Sequence, residues 1–245
     1  MFTLLFARTF YIVAGMLIIT AASAYMNKES KPTGTIMIIL LFALLFAIIF
    51  FWDIYPINLV LVSVFAGIMW WIISPTIKSM GVNMKLRSFL KEQWIVLKKW
   101  ETLTAEQIIK FDEYLTTHPS DEQWNKIVAQ AMFSTAFAVF ATASLVFISD
   151  IDFSFMWMFL FVALLVLIIM GLLNMFIFKS RLLSLIKAYC GVIIFTWYLI
   201  YDFNTLEKAA SDQTWGTAVS IAVNIYLDII NLFLDLLQIL WWGDN

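Results

Sequence analysis

Long apolar stretches alternate with short polar ones along most of this chain. Seven of them are about as long as a membrane-spanning helix, which needs roughly 20 residues. They cover residues 5–26, 35–52, 55–77, 128–148, 153–178, 183–201 and 215–241. The strands of a membrane barrel would instead alternate polar and apolar residues over about 10 positions. The pattern therefore predicts an all-α membrane protein with seven transmembrane helices.

The composition supports the same class, because 63% of the residues are hydrophobic and only 13% are charged. Soluble domains carry about 25% charged residues. We expect a multi-pass integral membrane protein in contact with the lipid bilayer, in the inner or plasma membrane of a bacterium or an intracellular membrane of a eukaryote. The net charge of −2 carries no information on nucleic acid, but the sequence shows no basic tract, so we expect no nucleic-acid partner. The single cysteine, Cys190, excludes an internal disulfide.

One long polar stretch, residues 78–127, divides the chain into three parts. Residues 1–77 would hold the first three transmembrane helices, residues 78–127 a polar helical insert, and residues 128–245 the last four helices. Within the insert, apolar residues recur at helical spacing over Lys85–Trp100. Its charges suit a protein partner, a position along the lipid headgroups or a solvated helical hairpin, and the sequence leaves these three open.

Two further helices are predicted inside the insert. Thr104 with Gln107, and Ser120 with Gln123, fit the capping box, in which a hydroxyl residue begins a helix and an amide follows three positions later. The insert also holds the only histidine, His118, which we expect to be solvated. No HExxH, GxSxG or glycine-rich phosphate loop occurs in the chain. We therefore expect no enzymatic activity and no cofactor.

The distribution of positive charge predicts the orientation. Of the 15 lysine and arginine residues, 13 fall in the first, third and fifth connections, against Lys208 on the other side and Arg8 inside the first helix. Positive residues favour the cytoplasmic side of a membrane. The N-terminus is therefore expected outside, and the insert and the C-terminus in the cytoplasm.

The last apolar stretch carries an aspartate, Asp228, near its middle. A carboxylate at membrane depth is costly and normally faces a partner or a water-filled path. Further polar residues recur at steps of three or four, which places them on one face of a helix. They are Thr217, Ser220, Asn224, Asn231, Asp235 and Gln238. We take Asn224, Asn231 and Asp235 as candidates to line a pore.

Asp202 ends the sixth apolar stretch and could approach Asp228, since the last helix returns after a connection of about 13 residues. Two carboxylates in an apolar site cannot both ionise cheaply, so the pair could share a proton. With both charged, they would offer oxygen ligands to Ca²⁺. Alternatively, Asp202 caps its helix at the membrane surface. For Asp235 we favour solvation near the headgroups over an acidic path.

The carboxy-terminal half carries an ordered set of motifs. They lie in SDIDFSFMWMFLFVALLVLIIMGLLNMF (149–176), GVIIFTWYLIYDFNTL (191–206) and NIYLDIINLFLDLLQIL (224–240). In these segments the chain resembles the Bax inhibitor family of membrane proteins. The resemblance implies a seven-helix fold with the last helix at the centre. It also implies a pH-sensitive Ca²⁺ leak controlled by two aspartates, which fall on Asp202 and Asp228 here.

The chain departs from the family pattern in two places that bear on function. Bacterial members carry a basic residue near the end of the second span that latches onto the sixth-span aspartate. Residues 51–55 read FWDIY here, so no lysine or arginine is available for a latch. The polar insert, residues 78–127, replaces a short connection, which indicates a partner or a regulatory role.

Three functions remain in competition. The leading hypothesis is a pH-sensitive Ca²⁺-permeable leak channel gated by a proton-sharing aspartate pair. The alternative is an interaction protein that regulates cell death or membrane-protein quality control through a protein partner at 78–127. The third is a proton-coupled transporter that uses the polar stripe as a relay, although no broken half-helices support it.

Overall fold

The computed structural model of the chain describes residues 4–26, 35–95, 103–118, 122–149 and 151–243. Within these ranges most residues are helical and no strand is present. The helices are α1 (Leu4–Met26), α2 (Thr35–Phe50), α3 (Ile57–Glu92), α4 (Ala105–Thr117), α5 (Glu122–Ile148), α6 (Trp157–Leu173), α7 (Arg181–Lys208) and α8 (Trp215–Gly243). A 3-10 turn precedes α6 and a π-helical turn follows it. The prediction of an all-α fold is confirmed.

Six of the described helices are long and apolar enough to cross a membrane. They are α1, α3, α5, α7, α8 and the helix formed by α6 with its flanking turns, Ser154–Phe178. The chain is therefore a multi-pass integral membrane protein. α2 is equally apolar but has only 16 residues. At about 1.5 Å per residue it is roughly 24 Å long, which is shorter than the hydrocarbon core of about 30 Å. The count of seven spans stays a prediction.

α8 is the most buried of these six helices. In its most apolar part 56% of the residues are buried, compared with 17 to 39% in the other five. It packs against α1, α3, α5 and α7. Tyr226 of α8 joins two of them, because its ring meets Phe65 of α3 edge-on and its hydroxyl lies 2.7 Å from the hydroxyl of Thr20 in α1. A buried hydroxyl needs such a partner, so this contact orients α8 as well as filling space.

α3 extends far beyond the predicted third span. It runs without a break from Ile57 to Glu92. The separate helix predicted over Lys85–Trp100 is therefore wrong, because its first part is the end of α3, while residues 96–100 lie outside the described ranges. α3 continues because its apolar face continues: Met80 and Met84 are buried against α5 and α8.

α4 folds back on the end of α3. Its predicted capping box is confirmed: the Thr104 hydroxyl accepts from the backbone N–H of Gln107, and the Gln107 side chain accepts from the N–H of Thr104. Phe111 of α4 packs on Phe89 of α3 with 5.4 Å between ring centroids. The second predicted box begins at Ser120, outside the described residues.

The α7–α8 connection, residues 209–214, lies at one end of the bundle, which we call the connection end. We call the opposite end, which carries α4, the insert end. At the connection end the guanidinium group of Arg8 donates to the carbonyl of Gln213 and lies 4.5 Å from the ring of Trp215. Arg8 was expected inside the first span, but its side chain reaches this surface. Lys208 pairs there with Asp152 at 2.5 Å.

Candidate functional site

Asp202 and Asp228 are in contact between the last two helices. Asp202 belongs to α7 and Asp228 to α8, and these two helices are antiparallel neighbours. The residues are 3% and 6% exposed. Their carboxyl groups are close enough to interact directly across the interface between the two helices. α7 continues beyond Asp202 to Lys208, so the alternative in which Asp202 caps a helix at the membrane surface is wrong.

No basic side chain neutralises this pair among the described residues. Neither carboxyl group forms an ion pair with any of them, and the Oδ2 atom of each lacks a hydrogen-bond partner there. Tyr198, one turn before Asp202 on α7, interacts electrostatically with both carboxyl groups. Two charged carboxylates in contact away from water repel strongly, so the geometry suits a pair that holds one proton between them.

The polar stripe on α8 changes character along its length. Ser220 and Asn224, on the connection-end side of Asp228, are exposed. Asn231, on the other side, is half-buried and donates to the Leu227 carbonyl of its own helix at 2.9 Å. The three pore-lining candidates, Asn224, Asn231 and Asp235, therefore lie in three different environments. The side chains of the stripe are exposed toward the connection end and become buried at Asp228.

Asp235 is buried two turns beyond Asp228, so the solvation that we favoured for it is wrong. It is 4% exposed, and its Oδ1 lies 3.5 Å from the ammonium group of Lys187 on α7. The carboxyl group fits because residue 191 is glycine: a Cβ atom there would stand 1.9 Å from Asp235 Oδ2. Glycine lets the carboxyl group approach the α7 backbone closely.

Sequence reasoning missed Lys187 and Gly191. Lys187 was assigned to a polar connection, whereas the structure places it within α7. The sequence did contain one indication of this contact. Lys187 and Gly191 are four residues apart, so a positive charge and a residue without a side chain lie next to each other on one face of the helix. One turn further along α8, Gln238 donates to the Ser184 hydroxyl at 2.6 Å. These contacts join α7 and α8 on the insert-end side of the aspartate pair.

The aspartate pair does not form a complete cation cage. In the part of the chain that the structure describes, no group of three or more His, Cys, Asp or Glu side chains lies close enough to hold a metal ion. Ca²⁺ takes roughly six to eight oxygen ligands, and two carboxyl groups supply at most four. The two carboxyl groups alone therefore supply too few ligands to hold Ca²⁺ tightly.

Comparison with known proteins places this site within a family. The family model described as Bax1-I, inhibitor of apoptosis-promoting Bax1, matches residues 116–245. The matched region is more than half of the chain and contains α5 to α8 with both aspartates. The chain belongs to the Bax inhibitor family. The resemblance stated from the motifs in 149–176, 191–206 and 224–240 is confirmed.

Individual relatives of the Bax inhibitor family come from viruses, plants and bacteria. The chain is 38% identical over 114 residues to the Golgi anti-apoptotic protein of vaccinia virus strain Lister, covering 46% of each protein. It is 38% identical over 118 residues to Protein LIFEGUARD 1 of Arabidopsis thaliana, covering 47% of this chain and 49% of the relative. An uncharacterized protein of Campylobacter jejuni is 33% identical over 114 residues. The chain spans about half the length of the curated relatives it matches.

Proposed function

We propose that this protein is a pH-sensitive Ca²⁺-permeable leak channel in which Asp202 and Asp228 form the gate. The observation that carries the proposal is the contact between two buried carboxyl groups on neighbouring helices, without a basic partner among the described residues. In this proposal α8 is the central helix and α2 is a seventh, short span. The protein carries no catalytic chemistry, and Ca²⁺ is its cargo.

The pair would close the route when it holds one proton. A hydrogen bond between the carboxyl groups then joins α7 to α8 at the depth where the stripe becomes buried. Loss of that proton leaves two negative charges in contact, which repel one another. The helices would separate locally, and four carboxylate oxygens would become available to a hard cation.

The direction of the pH response follows from this geometry. No lysine, arginine or histidine among the described residues pairs with the aspartates from α1, α3, α5 or α7. Tyr198 is the titratable neighbour, and it is neutral in either state of the gate because ordinary tyrosine titrates near pH 10. Without a cation to compensate the pair, raising the pH should increase the leak and acid should reduce it.

The route that the pair controls would begin at the connection end. Ser220 and Asn224 are exposed there and lead along one face of α8 to Asp228. Beyond the pair, the ion pair of Asp235 with Lys187 blocks the same face. An ion would pass only if both contacts open, which favours a slow leak over a wide pore.

Flux through reconstituted vesicles tests this proposal. Purified protein in liposomes loaded with a Ca²⁺ dye should admit Ca²⁺ faster at pH 8 than at pH 6. Asp202→Asn and Asp228→Asn should each remove most of the pH dependence, because a neutral amide cannot release the proton. Asp112→Asn, an exposed aspartate on α4, is the matched control and should behave like the wild type. An unchanged pH profile in both gate variants would rule out this mechanism.

A second function is supported by the relatives. The vaccinia virus relative is named as anti-apoptotic, and the matching family is described as inhibiting a promoter of apoptosis. We propose cell-death regulation as the physiological context, with the α3–α4 hairpin as the surface for a partner protein. The flux variants separate the two ideas. Protection from cell death that persists in the Asp202→Asn and Asp228→Asn variants, after their leak has lost its pH dependence, would favour the partner surface over the channel.

A further inference from the structure

A cavity of about 700 Å³ lies at the insert end, where α3, α7 and α8 come together. It is distinct from the aspartate pair and borders the α3 arm of the α3–α4 hairpin. Three cationic side chains line it. Arg87 comes from the end of α3, Lys179 from the turn before α7, and Arg181 is the first residue of α7. Two tryptophans at the end of α8, Trp241 and Trp242, complete the wall.

The charge in this cavity is not compensated within the described part of the protein. No aspartate or glutamate is among its lining residues, and none of the three cations forms an ion pair with a described carboxylate. Arg87 and Arg181 interact with each other as like charges. The Nη1 atom of Arg87 is buried and has no hydrogen-bond partner among the described residues. A buried guanidinium nitrogen without a partner is costly, so the cavity suits an anion.

The aromatic walls fix the two guanidinium groups. Arg87 lies 5.1 Å from the ring centre of Trp241, and Arg181 lies 5.9 Å from that of Trp242. These contacts place the guanidinium group of Arg87 on α3 and that of Arg181 on α7 at the wall of the same cavity. Arginine binds phosphate through paired N–H donors, so two arginines held in this way match a tetrahedral anion.

The turn into α7 borders the same cavity. Asn174 accepts from the N–H of Ser180, and Lys179 between them has a positive φ of 45°. This turn places Ser180 and Arg181, the cap and first residue of α7, on the cavity wall. The N-terminus of a helix attracts anions through its free N–H groups and its dipole. α7 is 28 residues long, so its dipole places a partial positive charge at this N-terminus.

We propose that this cavity binds a phosphate group, supplied by the headgroup of an anionic membrane lipid or by a soluble phosphate compound. The setting suits a headgroup, because tryptophans prefer the interface between membrane and water. Two exposed apolar side chains, Phe176 and Phe178, lie in the π-helical turn after α6, directly before Lys179. They are placed to contact an acyl chain. A soluble phosphate would use the same cations without that contact.

Native mass spectrometry of the full chain from nanodiscs tests the proposal. In discs of phosphatidylcholine with phosphatidylglycerol, the wild type should retain phosphatidylglycerol preferentially. Arg87→Gln and Arg181→Gln should each weaken retention about tenfold, since each removes a charge-assisted contact. Lys91→Gln removes one exposed charge outside the cavity and is the matched control. The two arginines lie on different helices, so misfolding of one variant leaves the other informative.

A second arm separates the sources of phosphate. In discs of phosphatidylcholine alone, inorganic phosphate and glycerol phosphate are titrated while the melting temperature is followed. A rise in melting temperature with either phosphate compound that disappears in both arginine variants supports a soluble ligand. Retention of phosphatidylglycerol without such a rise supports a lipid. Equal loss in the Lys91→Gln control would show general charge attraction and overturn the site. Absence of any difference between the wild type and both arginine variants in both arms would overturn it as well.

Discussion

The face between α7 and α8 contains two buried acidic positions that the protein treats differently. Asp235 is paired with Lys187, which compensates its negative charge when the carboxyl group is ionised. Asp228 faces Asp202 and has no ion-pair partner among the described residues, so a shared proton is the neutralisation that we propose for it. Buried charges are tolerated when they are paired, and otherwise they take up a proton. At the residue scale, the Asp202–Asp228 pair is therefore the element that we propose responds to pH, while the ion pair of Asp235 with Lys187 is a second contact on the same face.

Gly191 gives a direct test of the position of Asp235 against α7. Gly191→Ala would place a Cβ atom 1.9 Å from Asp235 Oδ2 and 2.8 Å from its Cγ. Alanine favours a helix by about 1 kcal/mol over glycine, but the clash should dominate and lower the free energy of unfolding by about 1–3 kcal/mol. Unfolding in detergent, followed by circular dichroism, measures the change.

Gly15→Ala is the matched control, because the added Cβ in α1 would meet no side chain or other helix of the described residues within 4 Å. It should be neutral or slightly stabilising. The double variant Gly191→Ala with Asp235→Ala removes the clashing carboxyl group and should recover part of the loss. A Gly191→Ala protein as stable as the Gly15→Ala protein would show that Asp235 does not occupy this position.

At the scale of elements, most helices could be predicted from the sequence because a membrane requires long apolar runs. The proximity of Asp202 and Asp228 could also be anticipated, since a short connection forces α7 and α8 to be neighbours. The length of α3 and the pairing of Lys187 could not. Both depend on which face of one helix meets the next, and an apolar run looks similar on all sides.

A charged contact ties the start of α6 to the end of α7. Asp152 Oδ1 lies 2.5 Å from Lys208 Nζ and also accepts from the backbone N–H of Ser154 at 2.8 Å. The Lys208 hydrogen bond, and then the Ser154 N–H, hold the pKa of Asp152 well below its usual range. A carboxylate whose folded pKa is depressed stabilises the protein above its unfolded pKa, about 3.9. That contribution is lost as the pH falls through the folded value.

Asp152→Asn should therefore lower the melting temperature in detergent at pH 7 by a small amount, since the pair is largely exposed. The difference from the wild type should persist down to about pH 4 and shrink as the pH falls further. Asp112→Asn, which removes an exposed aspartate without an ion pair among the described residues, should show no such difference. A difference for Asp152→Asn that grows with acidity would contradict the linkage.

At the scale of the whole molecule, the two ends of the bundle carry unequal positive charge. Arg8 and Lys208 lie at the connection end, and each is engaged there by Gln213 or Asp152. The insert end carries Arg87 and Arg181 around the basic cavity, with further lysines on α3, α4 and α5. Because positive residues are retained in the cytoplasm, the insert end should be cytoplasmic. The proposed Ca²⁺ route would then open on the opposite side and be controlled before it reaches the cytoplasmic face.

Cysteine labelling decides the orientation with little background, because Cys190 is the only cysteine. In a Cys190→Ser protein, Ser211→Cys marks the connection end and Lys110→Cys marks the insert end, and both positions are exposed. A membrane-impermeant maleimide added to sealed vesicles with their cytoplasmic side inside should label Ser211→Cys at once. Lys110→Cys should react only after permeabilisation. The reverse pattern would mean that the route opens toward the cytoplasm and that the basic cavity faces the opposite leaflet, so both proposals would have to be redrawn for that side of the membrane.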